Sequence, residues 1–201
     1  KPIIGVDCWL QNEADRDKPF RLLLLAASHA GYLRLCTLVS RAWLENPHRG
    51  RPELLRNWFE SQGTDGLIAL SGAASGDVGQ ALLAANEAAA QRLAETWAVL
   101  FPGRYYVELQ RAGQPQTEAL VARSVALAVK LGLPVVATHP VQFLDPDDFR
   151  AHEARVCISQ GYVLGDRRRP RTFTPQQYFK SQEEMARSFA DLPQALENAV
   201  E

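Results

Sequence analysis

The chain has 201 residues, enough for one domain of ordinary size. Apolar residues make up 46% and charged residues 22%, which excludes disorder, collagen and coiled coil as global descriptions. Lys and Arg total 22 against 23 Asp and Glu, so the net charge of -1 gives no electrostatic case for a whole-chain nucleic-acid binder. Any basic contact must be local.

Apolar runs such as residues 22–27 are too short to span a membrane. Cys8, Cys36 and Cys157 are odd in number, far apart and set in apolar stretches, which predicts reduced, buried thiols in a cytoplasmic protein. Lys1-Pro2-Ile3-Ile4-Gly5-Val6 opens at full hydrophobic density with no initiator methionine, and the single Met is Met185. The expectation is a piece of a longer protein, with further elements upstream of Lys1.

In chain order, near-continuous apolar runs predict strands at residues 3–9, 20–26, 67–70, 105–109 and 134–138. Their lack of alternation argues for a parallel sheet covered on both faces. Between them lie helical patterns. Ser28 caps a helix carrying Tyr32, Leu35, Leu38 and Val39. Residues 78–100 repeat apolar positions at spacings of three and four, a long alanine-rich helix. Thr117 caps a third helix that Gly132 stops, residues 145–160 form a fourth with Phe149, Val156 and Ile158 as its apolar positions, and residues 161–175 are loop. Ser181-Gln182-Glu183-Glu184 is a capping box, and Pro193 opens a last helix through Leu196 and Val200. The alternation defines an α/β class, either barrel or open sheet, with functional groups expected at the carboxyl ends of the strands.

Asp7, Glu108, His139 and Gln142 fall near such ends. A carboxylate and an imidazole meeting there could ligate a divalent metal and activate water against a phosphoester. Polar residues are also common at strand ends, where the chain meets water. No His-x-His or His-Glu-x-x-His occurs, and two or three ligands are too few for a two-metal site. Residues 71–76 are small and flexible, but Asp77 places a negative charge where a phosphate would sit, so a plain helix cap is expected. Arg167, Arg168, Arg169 and Arg171 form the one marked basic run, a phosphate or partner contact or a solvated loop that Asp166 and the acidic residues 145–148 partly neutralise.

Several segments in order carry a resemblance: residues 1–7, Leu22 to Ala27 followed by Gly31-Tyr32, Leu70-Ser71-Gly72 with Gly76-Asp77-Val78-Gly79, Phe101 to Leu109, Gly132 to Thr138, Ala151 to Val156, Arg168 to Arg171, Pro175 to Tyr178 and Ser181 to Met185. Together the chain resembles the PHP domain of bacterial DNA polymerase III alpha subunits. The resemblance implies a distorted parallel β/α barrel, incomplete because the first strand region is absent, with residues 1–201 as the later two-thirds of a single PHP domain. It implies a divalent metal cluster (zinc, manganese or magnesium) at the strand ends, with a His-x-His upstream of Lys1.

Family members often carry an acidic residue where Asp7 stands, a His where Arg21 stands, and Asn-Asp-x-His where His139-Pro140-Val141-Gln142 stands. Proline offers no ligand, glutamine is a poor one, and Arg21 repels cations. Asp7, Arg21, Glu108, His139 and Gln142 therefore mark a degenerate site expected to hold no metal, on a domain that serves as a scaffold. The implied parent performs template-directed DNA synthesis with magnesium at carboxylates beyond Glu201. The implied partners are the rest of the polymerase, the proofreading exonuclease subunit, and DNA through the parent chain. The competing reading is a metal-dependent phosphoesterase, pyrophosphatase or exonuclease using Asp7, Glu108 and His139. The piece, with one strand edge unpaired, is expected to self-associate or to be unstable.

Overall fold

The computed structural model describes residues 2–201. Strands β1 (Gly5–Leu10) and β2 (Phe20–Ala26) pair antiparallel, with Trp9 opposite Arg21 and Asp7 opposite Leu23. Helix α1 (His29–Glu45) follows, then the short hairpin β3 (Pro47–His48) and β4 (Arg51–Leu54), helix α2 (Arg56–Gln62) and strand β5 (Leu67–Leu70). Helices α3 (Asp77–Leu83) and α4 (Glu87–Leu100) lead to β6 (Tyr105–Gln110), α5 (Thr117–Leu131) and β7 (Val135–Thr138). Helices α6 (Phe149–Gln160), α7 (Gln182–Ser188) and α8 (Pro193–Glu197) complete the chain.

The strands form one seven-stranded sheet in the order β3-β4-β1-β2-β5-β6-β7. The α/β class is as expected, but the sheet is mixed rather than parallel. β2 runs antiparallel to both neighbours, β1 and β5, while β1 with β4, β5 with β6 and β6 with β7 are parallel. The reason lies in the loop at residues 11–19. It is shorter than the dozen or so residues that a parallel crossover needs, so β2 must turn back along β1.

β1 is also not buried on both faces. Cys8 and Leu10 enter the core, while Asp7 and Trp9 face outward and Ile3 and Ile4 are exposed. The core runs from Leu22 and Leu24 of β2 through Leu67 and Ala69 of β5 to Val107 and Leu109 of β6. Beneath it, the Trp97 ring stands 5.7 Å from Phe59, 6.1 Å from Phe101 and 6.3 Å from Tyr105 between ring centroids. Truncating such a side chain typically removes about 3–5 kcal/mol of stability.

Ser28 caps α1 as expected, its Oγ accepting from the Gly31 N–H at 3.1 Å. The helix starts so close to the turn before β5 that a Cβ on Gly31 would lie 1.8 Å from the Gly66 carbonyl oxygen. The long helix expected over residues 78–100 is two helices. Ala85 takes a left-handed φ of 55°, and Asn86 caps α4 by accepting from the Ala89 N–H. Gln116 rather than Thr117 occupies the cap position of α5, without a side-chain bond, and Thr117 is the first helical residue. Residues 146–148 form a 3-10 turn that Asp145 and Asp148 close as a capping box, and α6 begins after it. Ile158 is 82% exposed, so it belongs to the outer face of α6. The capping box at Ser181 and the proline start of α8 are both present, while Val200 is exposed beyond α8.

Cys36 is exposed, contrary to expectation, whereas Cys8 and Cys157 are buried. Burial, with the nearby Asp7 charge, pushes the Cys8 thiol up to about 12, so it stays protonated. No helix is long and apolar enough to cross a membrane among the described residues.

Candidate functional site

Asp7, Arg21, Glu108 and the segment of His139 and Gln142 come from four separate places in the sequence, and all five residues line one cavity of about 830 Å3. The antiparallel turn of β2 explains the first pair. Arg21 lies near the start of β2 and opposite Trp9, so Asp7, two residues back on β1, is its diagonal neighbour on the same face. The Arg21 Nε donates to Asp7 Oδ1 at 2.7 Å and Oδ2 at 2.8 Å. The other end of the guanidinium lies 3.7 Å from Glu108 Oε1.

Glu108 stands on β6 with its side chain 1% exposed. Its Oε1 accepts from Thr138 Oγ1 at 2.5 Å and from Gln110 Nε2 at 2.9 Å, while Oε2 is buried with no partner among the described residues. The Glu108 N–H donates to Ser71 Oγ at 2.9 Å, which fixes the strand against the end of β5. The next residue, Gly72, is left-handed, with φ 78°, and a Cβ there would meet the Arg21 carbonyl oxygen at 2.2 Å. Only glycine lets the loop after β5 lie against the backbone that carries Arg21.

One cation thus faces two carboxylates. Burial works against the charge on Arg21, but Glu108 and Asp7 outweigh it and raise the guanidinium pKa above its ordinary value. His139 is apart from this group. Its Nε2 lies 2.8 Å from the Gln176 carbonyl oxygen, and its Nδ1 is buried without a partner among the described residues. Burial lowers the imidazole pKa, with the Gln176 carbonyl acting the other way. Gln142 is tied through its backbone, its N–H donating to the Gln177 carbonyl at 2.8 Å.

Segment 172–179 forms a strap across this end of the sheet. Thr174 Oγ1 donates to the Ala112 carbonyl, Gln177 Nε2 donates to the Pro140 carbonyl, and Thr172 and Phe173 line the cavity. Among the described residues, no group of three His, Cys, Asp or Glu side chains is placed to hold an ion. The carboxylates turn to Arg21, Thr138 and Gln110, and the imidazole turns to a carbonyl. Glu108 Oε2 and His139 Nδ1 stay uncommitted among the described residues.

Sequence reasoning missed Gln110, Thr138 and Ser71 as parts of the site. Gln110 was legible in principle, since two residues along a strand return to the same face as Glu108. The contacts of Thr138 and Ser71 depend on β6 pairing with β7 and β5, which no local pattern reveals. Asp77 differs as well. It is buried rather than a plain cap, accepting from Trp97 Nε1 at 2.9 Å and from Arg56 Nη2 at 2.5 Å, while Gly76 occupies the cap position. Burial raises the Asp77 carboxyl pKa, against the pull of Arg56. In the basic run, Arg168 pairs with Asp166 at 2.8 Å and Arg169 with Glu153 at 2.7 Å. The acidic residues 145–148 make no ion pair with it among the described residues. Arg167 and Arg171 have no carboxylate partner there either.

A mixed α/β sheet with a cavity of polar and apolar side chains near several strand ends defines a site-bearing α/β domain in which the Arg21 guanidinium faces two carboxylates. The PHP domain pattern matches residues 1–112, more than half of the sequence, and the chain belongs to the PHP domain family. Over its whole length it matches the PHP region of bacterial DNA polymerase III alpha subunits. It is 52% identical over 205 residues to the subunit of Neisseria meningitidis serogroup B, covering all of this chain and 18% of that protein. The corresponding identities are 47% for Pseudomonas aeruginosa and 44% for Escherichia coli K12, each covering 17% of the relative. The chain thus spans less than a fifth of the length of these curated relatives.

Proposed function

We propose that this chain is a non-catalytic scaffold of a cytoplasmic replicative DNA polymerase, docking the rest of the polymerase and the proofreading exonuclease subunit. Its mixed sheet is part of a distorted PHP barrel, and residues 1–201 are the later two-thirds of that single domain. The parent chain carries out template-directed DNA synthesis, with its magnesium-binding carboxylates elsewhere. The observation that carries the reading is Arg21, a permanent cation held by Asp7 and facing Glu108 where a metal-dependent enzyme needs free ligands. Titrating the intact domain with the exonuclease subunit by calorimetry tests it. A saturable complex is expected, and none between folded partners would overturn the partner assignment.

One observation favours the second reading, a metal-dependent phosphoesterase. Glu108 Oε2 and His139 Nδ1 are both buried without partners, on residues that line one cavity. Elemental analysis decides between the two. Stoichiometric zinc or manganese that disappears on Glu108→Gln or His139→Gln would overturn the preference for the scaffold reading of this cavity.

A further inference from the structure

Helix α1 buries one side and leaves the other bare. Leu35, Leu38 and Ala42 enter the core, where the helix packs on β2, β4 and β5. At 100° per residue, Tyr32, Leu33, Cys36, Ser40, Trp43 and Leu44 fall within an arc of about 120° on the opposite side. All of them are exposed, Leu33 and Trp43 at 53% and Leu44 at 82%. No Asp, Glu, Lys or Arg of the helix falls in that arc. Arg34, Arg41 and Glu45 gather on one flank and are spent there. Arg34 donates to the Gln62 carbonyl at 3.2 Å, and Arg41 pairs with Glu45 at 2.6 Å while standing over the Trp58 ring.

A helix that only covers a sheet turns polar and charged side chains to water. Here two aromatics and two leucines occupy the outer stripe of a helix about 25 Å long, which marks a contact surface. With no cation in the arc, the face has nothing to hold a phosphate, so a nucleic-acid backbone does not fit it. One helix face also falls well short of the roughly 20–30 residues a side that a separate protein or a second copy needs. A domain on the same polypeptide needs far less, because tethering makes the contact intramolecular. The curated relatives contain such further chain, since the match covers 17–18% of each and leaves more than four-fifths outside it.

We infer that the outer face of α1, centred on Leu33, Trp43 and Leu44, seats another domain of the parent polypeptide, which covers it with an apolar, uncharged surface of its own. The inference rests on the scaffold reading and locates one of its contacts.

Cys36 sits inside the arc and reports on it. It is exposed, whereas Cys8 and Cys157 are buried and serve as internal controls of folding. The test measures N-ethylmaleimide labelling of each cysteine by peptide mass spectrometry. It compares the parent polymerase chain with the 201-residue chain, both dilute, and takes the urea-unfolded parent as the free-thiol reference. In the 201-residue chain Cys36 should label near the reference rate. In the parent it should label at least about tenfold more slowly. The pair Leu33→Glu with Leu44→Glu, made in the parent, should return Cys36 to the free rate, because carboxylates buried without partners open the contact. Both side chains are exposed on the domain itself, so Cys8 and Cys157 should stay protected and show that the variant folds.

A Cys36 rate in the parent equal to that in the shorter chain would overturn the inference, as would protection that the double variant leaves intact. Protection that grows with the concentration of the 201-residue chain would overturn it in favour of a second copy. Protection of the parent only after adding the exonuclease subunit or DNA would overturn it in favour of a separate partner. Titration with the exonuclease subunit reads independently. If that subunit binds while Cys36 of the parent labels freely, the scaffold stands and this face is not a domain contact. If Cys36 is protected in the parent and no exonuclease binds, the exonuclease assignment fails and the domain contact stands.

Discussion

Arg21 holds Asp7 by donating one N–H to both of its carboxylate oxygens, and the same guanidinium faces the buried Glu108. Asp7 is partly solvated, so its own pairing contributes little. Glu108 is different, because water cannot reach it. Replacing Arg21 by Met keeps the stem and removes the charge. The expected loss is about 2 kcal/mol, because a buried carboxylate loses its nearest cation. Adding Glu108→Gln to that variant should restore part of the loss. Urea denaturation of the two single variants and the double measures the coupling, and strictly additive losses would show that the two residues do not interact.

Stability should fall as the solution is acidified from pH 7 to 5. His139 and His152 are both held below the ordinary histidine value of 6.5, in each case chiefly by burial. Below pH 6.5 the unfolded chain takes up protons that the folded chain refuses. Acid therefore favours unfolding, and the loss stops growing once the pH drops beneath the folded pKa values. The urea midpoint of wild type should drop through this window. The double variant His139→Gln with His152→Gln should drop less, and parallel curves would contradict the assignment.

Gly72→Ala and Gly103→Ala form a matched pair. Both glycines are left-handed, with φ 78° and 68°. An added Cβ at Gly103 meets nothing within 4 Å, so only the conformational penalty of about 1 kcal/mol is expected. At Gly72 the same Cβ would sit 2.2 Å from the Arg21 carbonyl, and the backbone itself must move. That variant should lose clearly more stability and should shift the amide resonance of Arg21. Equal losses would mean that the loop relaxes freely.

Asp77→Asn should cost about 3 kcal/mol, because Arg56 then loses its carboxylate while Trp97 keeps an acceptor. Trp97 stacks on Tyr105 and edges onto Phe59, so its emission should change with the variant. A chemical-denaturation curve followed by tryptophan fluorescence reads both effects. Unchanged stability would show that the buried ion pair contributes nothing net.

The edge of β1 offers the last prediction. β4 pairs only with Trp9 and Leu10, so the backbone of residues 5–8 has a partner on the β2 side alone. Ile3 and Ile4 are 74% and 50% exposed beside it. The chain should self-associate as concentration rises, and Ile4→Lys should suppress this. Light scattering checks it, and a monodisperse monomer at high concentration would refute it.

Much of the fold was legible residue by residue. The runs at β2 and β5 matched their strands, Ser28 and the Ser181 box capped the helices they announced, and Gly132 stopped α5. These signals are local, since a cap, a left-handed glycine or an apolar run acts within a few residues. The break at Ala84 to Asn86 was also local, yet alanine-rich periodicity ran through it and hid the cap at Asn86. The hairpin β3–β4 and helix α2 left no clear pattern, because Pro52 and the charged residues around it mask strand periodicity.

Sequence by itself determined which chemical groups this chain possesses. It supplied an arginine beside a weakened set of ligands, a histidine followed by proline, and a segment rich in arginine. Tertiary structure decided what each of those groups does. The reversal of β2 brought Arg21 onto Asp7, the pairing of β6 with β7 set Thr138 against Glu108, and Arg169 folded its loop onto α6. Such contacts join residues 14 to 30 positions apart, or simply follow strand direction. The apolar runs look alike whichever way they point, so only the short spacing between β1 and β2 carried the direction of β2.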